Sequence, residues 1–119
     1  MVKVLIDTNF ILSCIRKKID FFEELAEYEI LIPLQVVREI EKITISKKKM
    51  KFRDEARLAL KILDKGNFTK IDLGVNYVDN GIRKFVKNNP NIIIATLDED
   101  LKRKVNQRLV IRGRVLEVV

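Results

Sequence analysis

Strand-length apolar segments alternate with helix-period segments along the chain, which predicts an α/β fold: three layers, α/β/α, with a mainly parallel sheet of about five strands. Two runs carry the strand expectation, Val2-Lys3-Val4-Leu5-Ile6 and Ile92-Ile93-Ile94-Ala95, the second bounded by polar residues as suits a strand buried on both faces. A third observation carries the helical one: Phe52, Ala56, Ala59, Leu60 and Leu63 recur at helical spacing. At 119 residues, 47% hydrophobic and 34% charged, the chain suits one domain with one core, residues 1–119.

The elements follow in order. After the first strand, Asp7-Thr8-Asn9 supplies three good N-cap residues ahead of an apolar helical segment, Phe10 to Ile15. A second helical stretch runs from Asp20 to Glu27 with Phe21, Phe22 and Leu25 on one side, and Glu29 to Ile32 is a short strand. Pro33 suits the first turn of a helix whose apolar face carries Val36, Val37, Ile40 and Ile43. A basic connection, Ser46 to Lys51, leads into the Phe52–Leu63 helix, which Gly66 stops as a C′ residue. Asn67 to Ile71 reads as a strand. Val78, Ile82, Phe85 and Val86 mark a helix ended by Asn88-Asn89-Pro90, and the strand Asn91 to Thr96 follows. The last helix starts near Asp98 with Leu101 and Val105, and closing strands Leu109–Ile111 and Val115–Val119 flank Arg112-Gly113.

Composition removes several chemistries. There is no histidine, so Ser-His-Asp and Cys-His catalysis and His-ligated zinc are excluded. The single cysteine, Cys14, can form no intrachain disulfide or CxxC motif and reads as a buried apolar residue. No Gly-rich phosphate loop is present. No apolar run approaches the roughly 18–20 residues that span a bilayer, and no leader pattern precedes the first strand. A cytoplasmic protein without membrane partners is therefore expected. The net charge of +7 favours a polyanionic partner, with a merely solvated lysine-rich surface as the alternative.

In open parallel sheets, sites form beyond the carboxyl ends of the strands. Ile6 is followed at once by Asp7, and Ala95-Thr96-Leu97 by Asp98, so two apolar strands end in aspartates. If those strands are neighbours, about 4.8 Å apart, the two carboxylates can converge on one ion. Glu39 lies near the border of the buried face of the Pro33 helix, and Asp79 opens the helix that carries Ile82. Hard oxygen ligands without His or Cys select Mg²⁺ or Mn²⁺. Asp7 and Asp98 are equally reasonable as helix caps, and Glu39 and Asp79 as surface acids.

Lys3-Val4-Leu5-Ile6-Asp7-Thr8-Asn9-Phe10 resembles the opening strand of PIN domains, an h-h-D-T-N/S signature. Pro33-Leu34-Gln35-Val36-Val37-Arg38-Glu39 resembles their P-x-x-V-x-x-E helix, Val78-Asp79-Asn80-Gly81-Ile82 their third acidic position, and Ala95-Thr96-Leu97-Asp98-Glu99-Asp100-Leu101 their A-T-x-D-x-x-L turn. The Asp98-to-Arg103 turn and the Phe21-to-Leu25 helix are similar to the archaeal branch near small-subunit rRNA-processing PIN nucleases, which grades into VapC-type toxins. Two departures stand out: no cysteine zinc element follows the core, and Leu97 replaces a residue often polar in relatives.

The resemblance implies metal-dependent hydrolysis of single-stranded RNA. Asp7, Glu39, Asp79 and Asp98 would be the catalytic acids and metal ligands, with Asp100 a fifth candidate. Thr8 and Asn9 would orient Asp7 or a bound water, and Thr96 would support the Asp98 side. It also implies a homodimer, and an antitoxin or ribosome-assembly partner. Lys47, Lys48, Lys49 and Lys51 read either as RNA contacts or as a solvated loop, while Lys102 and Arg103, with Lys104 and Arg108, follow the Asp98 turn and suit contacts to the RNA backbone.

Overall fold

The computed structural model describes residues 1–119. Its elements are β1 (Lys3–Ile6), α1 (Thr8–Arg16), α2 (Phe21–Glu24), β2 (Glu29–Pro33), α3 (Leu34–Thr44), α4 (Met50–Lys65), β3 (Thr69–Ile71), α5 (Val78–Asn88), β4 (Ile93–Ala95), α6 (Glu99–Lys104), β5 (Arg108–Arg112) and β6 (Val115–Val118). The sheet has six strands in the order β3-β2-β1-β4-β5-β6. All neighbours are parallel except β5 and β6, which pair as an antiparallel hairpin about Arg112-Gly113. Gly113 takes φ +62, a turn conformation that a side chain disfavours.

Successive side chains of a strand point to opposite faces. Val4, Leu5 and Ile6 are all fully buried, and so are their neighbours Ile94 and Ala95. The two central strands therefore need cover on both faces, and the helices supply it. On one side α1, α3 and α4 pack on one another. On the other, α5 and α6 are tied by the ion pair of Arg83 with Asp100 at 3.0 Å. The result is the expected three-layer α/β/α arrangement.

Chain order explains the direction of winding. The strands first step outward from β1 to β2 and β3, and the chain then crosses back to β4 on the far side of β1. The β1–β4 boundary is thus where strand order reverses, and such a point opens a crevice at the carboxyl edge.

Two local expectations need a different reason. Pro33 does not open the first helical turn. It is the last residue of β2, pairs with Ile71, and caps α3 at φ −63, ψ 141. Its fixed φ serves a strand end as well as a helix start. Gly66 follows α4 as expected, but at φ −82 it is no left-handed C′ stop. Glycine leaves room for the Phe22 ring, which stacks along this edge on Phe68: a Cβ there would lie 2.1 Å from it, and the ring would have to move.

A carboxylate cavity at the sheet edge

Asp7 comes directly after β1, and its position is fixed by two roles at once. Its backbone N–H continues the β1–β4 ladder by donating to the Ala95 carbonyl at 3.1 Å. Its side chain caps α1, where Oδ1 accepts from the Phe10 N–H at 3.0 Å. The other oxygen, Oδ2, accepts from the Thr96 hydroxyl, which in turn accepts from the Asp98 N–H at 3.1 Å. Thr96 is therefore the fixed link between the ends of β1 and β4, supporting both aspartates. The register that makes this possible is Ile6 opposite Ala95.

Asp98 is the cap of α6, with Oδ1 accepting from the Asp100 and Leu101 N–H groups at 2.9 and 3.2 Å. Asp79 stands exposed in the first turn of α5, where the helix dipole favours its charge. Asp7, Asp79 and Asp98 line one cavity of about 380 Å³ with Asn9, Leu12, Arg16 and Leu97. Asn9, Leu12 and Arg16 are three and four residues apart in sequence, so α1 presents one stripe to the cavity.

The electrostatics of this cavity are unfavourable for the bare protein. Asp7 is only 7% exposed. Burial raises its pKa from 3.8 to about 6; the Thr96 and Phe10 hydrogen bonds oppose the rise, and the charges of Asp79 and Asp98 add to it. Cys14 lies in the core beneath, its thiol pushed up to about 12 by burial, and is no ligand.

Position by position, the other expected residues fall as follows. Glu39 is exposed on α3 and does not line the cavity. Helix α3 leaves the carboxyl edge of β2 and runs back along the sheet, and each turn carries its residues about 5.4 Å further from that edge. Asp100 turns to Arg83 at 3.0 Å and Lys104 at 3.3 Å. Asn9 is exposed beside Asp7. The Thr8 hydroxyl does not reach Asp7 and is buried without a partner. No three acids stand close enough together to form a ready-made ligand set. Lys47, Lys48, Lys49, Lys51 and Arg103 are exposed, and Lys102 pairs with Glu99 at 3.2 Å.

Several contributors were not legible as motifs. Arg16 shares the cavity, and a seven-residue step from Asn9 is the only sequence sign of it. Gln35 is buried, and it ties α3 to the segment before α5. Its Nε2 donates to Asp72 Oδ1 at 2.7 Å and its Oε1 accepts from the Leu73 N–H at 3.2 Å. Asp72 also accepts from the Gly74 N–H at 2.8 Å, and these bonds hold its carboxyl below the usual range. The loop so fixed delivers Val78 and Asp79 to the edge.

The donor set fits a hard divalent cation. Every side chain that could ligate in the cavity offers oxygen, from Asp7, Asp79, Asp98 and Asn9. The raised pKa of Asp7 reflects chiefly its burial, and the charges of Asp79 and Asp98 add to it. Mg²⁺ keeps several waters and commonly takes only one or two carboxylates directly, so spaced acids suit it.

Comparison with known proteins shows the family. The model of a PIN like domain matches residues 4–114. Ribonuclease VapC4 of Methanocaldococcus jannaschii is 30% identical over 110 residues, covering 88% of this chain and 83% of that protein. The solved structure of the PIN domain endonuclease Utp24 superposes with a TM-score of 0.78 at 28% identity, covering 98% of this chain and 90% of that one. VapBC2 from Rickettsia felis, solved bound to a DNA fragment from its promoter, gives 0.53 at 18% identity over 87% of this chain and 96% of that one, a likeness of fold. On the match that spans residues 4–114, the chain belongs to the PIN-like domain family.

Proposed function

We propose that this protein is a metal-dependent endoribonuclease that hydrolyses phosphodiester bonds of single-stranded RNA at the Asp7–Asp79–Asp98 cavity. The observation that carries the reading is the convergence of three aspartates, from the β1–α1 junction, α5 and the β4–α6 turn, on one cavity at the reversal of strand order. The names of two relatives, a ribonuclease and a PIN domain endonuclease, support the reaction class.

Asp7, Asp79 and Asp98 would hold Mg²⁺ or Mn²⁺, with Glu39 the outlying member acting through water. Bound there, the ion would supply a water of lowered pKa and neutralise charge on the phosphate. The chain's own residues do the rest. Thr96 keeps the Asp7 and Asp98 carboxylates in fixed relation. The α6 N–H groups bind one oxygen of Asp98 and leave Oδ2 without a hydrogen bond, 3.9 Å from the Arg83 guanidinium. Burial around Asp7 lowers the local dielectric, so its charge acts on a bound cation with little screening. Leu97, half exposed in the cavity wall, gives the ribose or base an apolar surface.

The deciding experiment is cleavage of a labelled single-stranded RNA in Mn²⁺ or Mg²⁺ by the wild type and by Asp7→Asn. Loss of cleavage in the variant is expected, and unchanged cleavage would overturn the reading. A second reading, a PIN-fold scaffold that binds RNA or protein without cutting, is favoured by one observation: no three acids form a ready-made ligand set. Calorimetry separates the two, because the scaffold predicts no Mn²⁺ affinity.

The cellular setting belongs to the same proposal. It is either rRNA processing with a ribosome-assembly partner or toxin action with an antitoxin, in both cases as a cytoplasmic homodimer. No helix is long and apolar enough to cross a membrane. Co-purification of precursor rRNA or of a small cognate inhibitor protein from native cells distinguishes the two settings.

A further inference from the structure

Arg16 is the only cation lining the carboxylate cavity, and its half-exposed side chain is tethered on one edge and one face. Its Nε and Nη2 donate to the two oxygens of Glu55 on α4, at 3.1 and 2.9 Å. This is a bidentate fork, the most direction-specific pairing that a guanidinium makes. The same guanidinium lies over the Phe52 ring, 5.7 Å from its centroid. Arginine carries five N–H donors, and the fork uses two. Two on Nη1 and one on Nη2 stay free, and one from each of these nitrogens lies along the outer edge, which matches a pair of phosphate oxygens.

Neutralising the cavity's acids is not the task of this arginine. Its ion partner is Glu55, and the cation that turns to Asp98 and Asp100 is Arg83. A helix C-terminus accounts for a positive charge at Arg16. It does not account for a buttressed fork at the mouth of a cavity that repels anions. The basic connection also meets this point: the ammonium of Lys51 lies 5.0 Å from the centroid of the same Phe52 ring. Positive charge therefore continues from the cavity mouth along the start of α4 to the exposed Lys47, Lys48 and Lys49.

We infer that Arg16, oriented by Glu55 and Phe52, binds a backbone phosphate of single-stranded RNA beside the cleavage site and leads the strand from the carboxylate cavity toward Lys51. The inference rests on the proposed nuclease reading for its substrate class. Arg16 touches the substrate in this assignment, and Glu55 is a positioning residue. Against the repulsion of three aspartates, an arginine tethered by Glu55 lets the strand approach while leaving the acids for the cation.

The test is binding of a labelled polyuridine oligomer in an Asp7→Asn background, titrated over a series of KCl concentrations with Mg²⁺ present. Losing one phosphate contact to a single strand lowers the slope of log affinity against log salt by about 0.7. Arg16→Gln is expected to show that loss of slope and about tenfold weaker binding. Arg16→Lys should keep the slope and lose part of the affinity, because it retains charge without the fork. Glu55→Gln, with Arg16 intact, should keep the slope and weaken binding less than Arg16→Gln does. In the active chain, Arg16→Gln should raise KM more than it lowers kcat.

Unchanged affinity and slope in Arg16→Gln, with stability losses equal to those of Glu55→Gln, would reduce the pair to a tie between two helices and overturn the inference. If Arg16→Gln does not fold, an altered slope in Arg16→Lys would overturn it equally well. A wild type that binds polyuridine but cleaves no RNA ends the nuclease reading while the slopes still decide on Arg16. A wild type that does not bind it overturns the inference on Arg16, while the cleavage assay still decides the nuclease reading.

Discussion

Asp7 carries the conflict on which the site depends. It must be buried to cap α1 and close the β1–β4 ladder, yet its charge faces two other aspartates. A carboxyl whose folded pKa, about 6, exceeds its ordinary 3.8 contributes stability that is complete below the ordinary value and is lost as pH rises through about 6. The difference is on the order of 3 kcal/mol. In chelator, Asp7→Asn should therefore melt higher than the wild type at pH 7 and lose that advantage near pH 4, although the same variant is expected to lose cleavage in Mn²⁺. Thermal scans at both pH values check it, and a lower melting point for the variant at pH 7 would refute it. Thr96→Val removes the donor to Asp7 and the acceptor for the Asp98 N–H, leaving buried polar groups unpaired. A loss of about 1–3 kcal/mol in urea unfolding is expected, with cleavage reduced about tenfold or more.

At the scale of elements, the weakly specified piece is the approach to α5. Asp79 depends on a loop held by Gln35, Asp72 and the Gly74 N–H. It depends also on close contact between α5 and that loop, for a Cβ on Gly81 would lie 2.8 Å from Leu73 and 2.9 Å from Val75. Gly81→Ala should cost about 1–3 kcal/mol through overpacking and displace Asp79, lowering activity and Mn²⁺ affinity together. A variant with unchanged calorimetric affinity would show that Asp79 stands apart from the ion. Element direction also ranks the acids. Glu39 sits on a helix running away from the edge, so Glu39→Gln should reduce cleavage less than Asp7→Asn. Equal losses in single-turnover rates would place Glu39 at the reaction itself.

For the whole molecule, charge is divided between a net +7 and a locally acidic cavity. On the proposed reading, the first would attract a polyanion and the second would take a cation before that polyanion settles. Divalent metal should therefore stabilise the fold by mass action, by about 2.7 kcal/mol at a hundredfold excess over the dissociation constant. Differential scanning calorimetry should show a melting point that rises with Mn²⁺ and returns with EDTA, and no such rise in Asp7→Asn. RNA binding should weaken steeply with salt.

The layered α/β fold was legible in the amino-acid sequence because strands buried on both faces read as continuous apolar runs, as at Leu5 and Ile94, whatever lies beside them. So was the placement of Asp7 and Asp98 after β1 and β4, since the residue that ends a strand and caps a helix is a local matter. The sixth strand was in the reading as a segment, but its antiparallel pairing comes from the hairpin at Gly113. What only the tertiary structure decided is which side chains meet. Pairing of β1 with β4 set Thr96 between the two aspartates, α3 carried Glu39 off the cavity, and α4 brought Glu55 to Arg16 across 39 residues. Local pattern reports the period and ends of each element. The distances on which chemistry depends arise from strand order and helix direction, and those belong to the packed sheet as a whole.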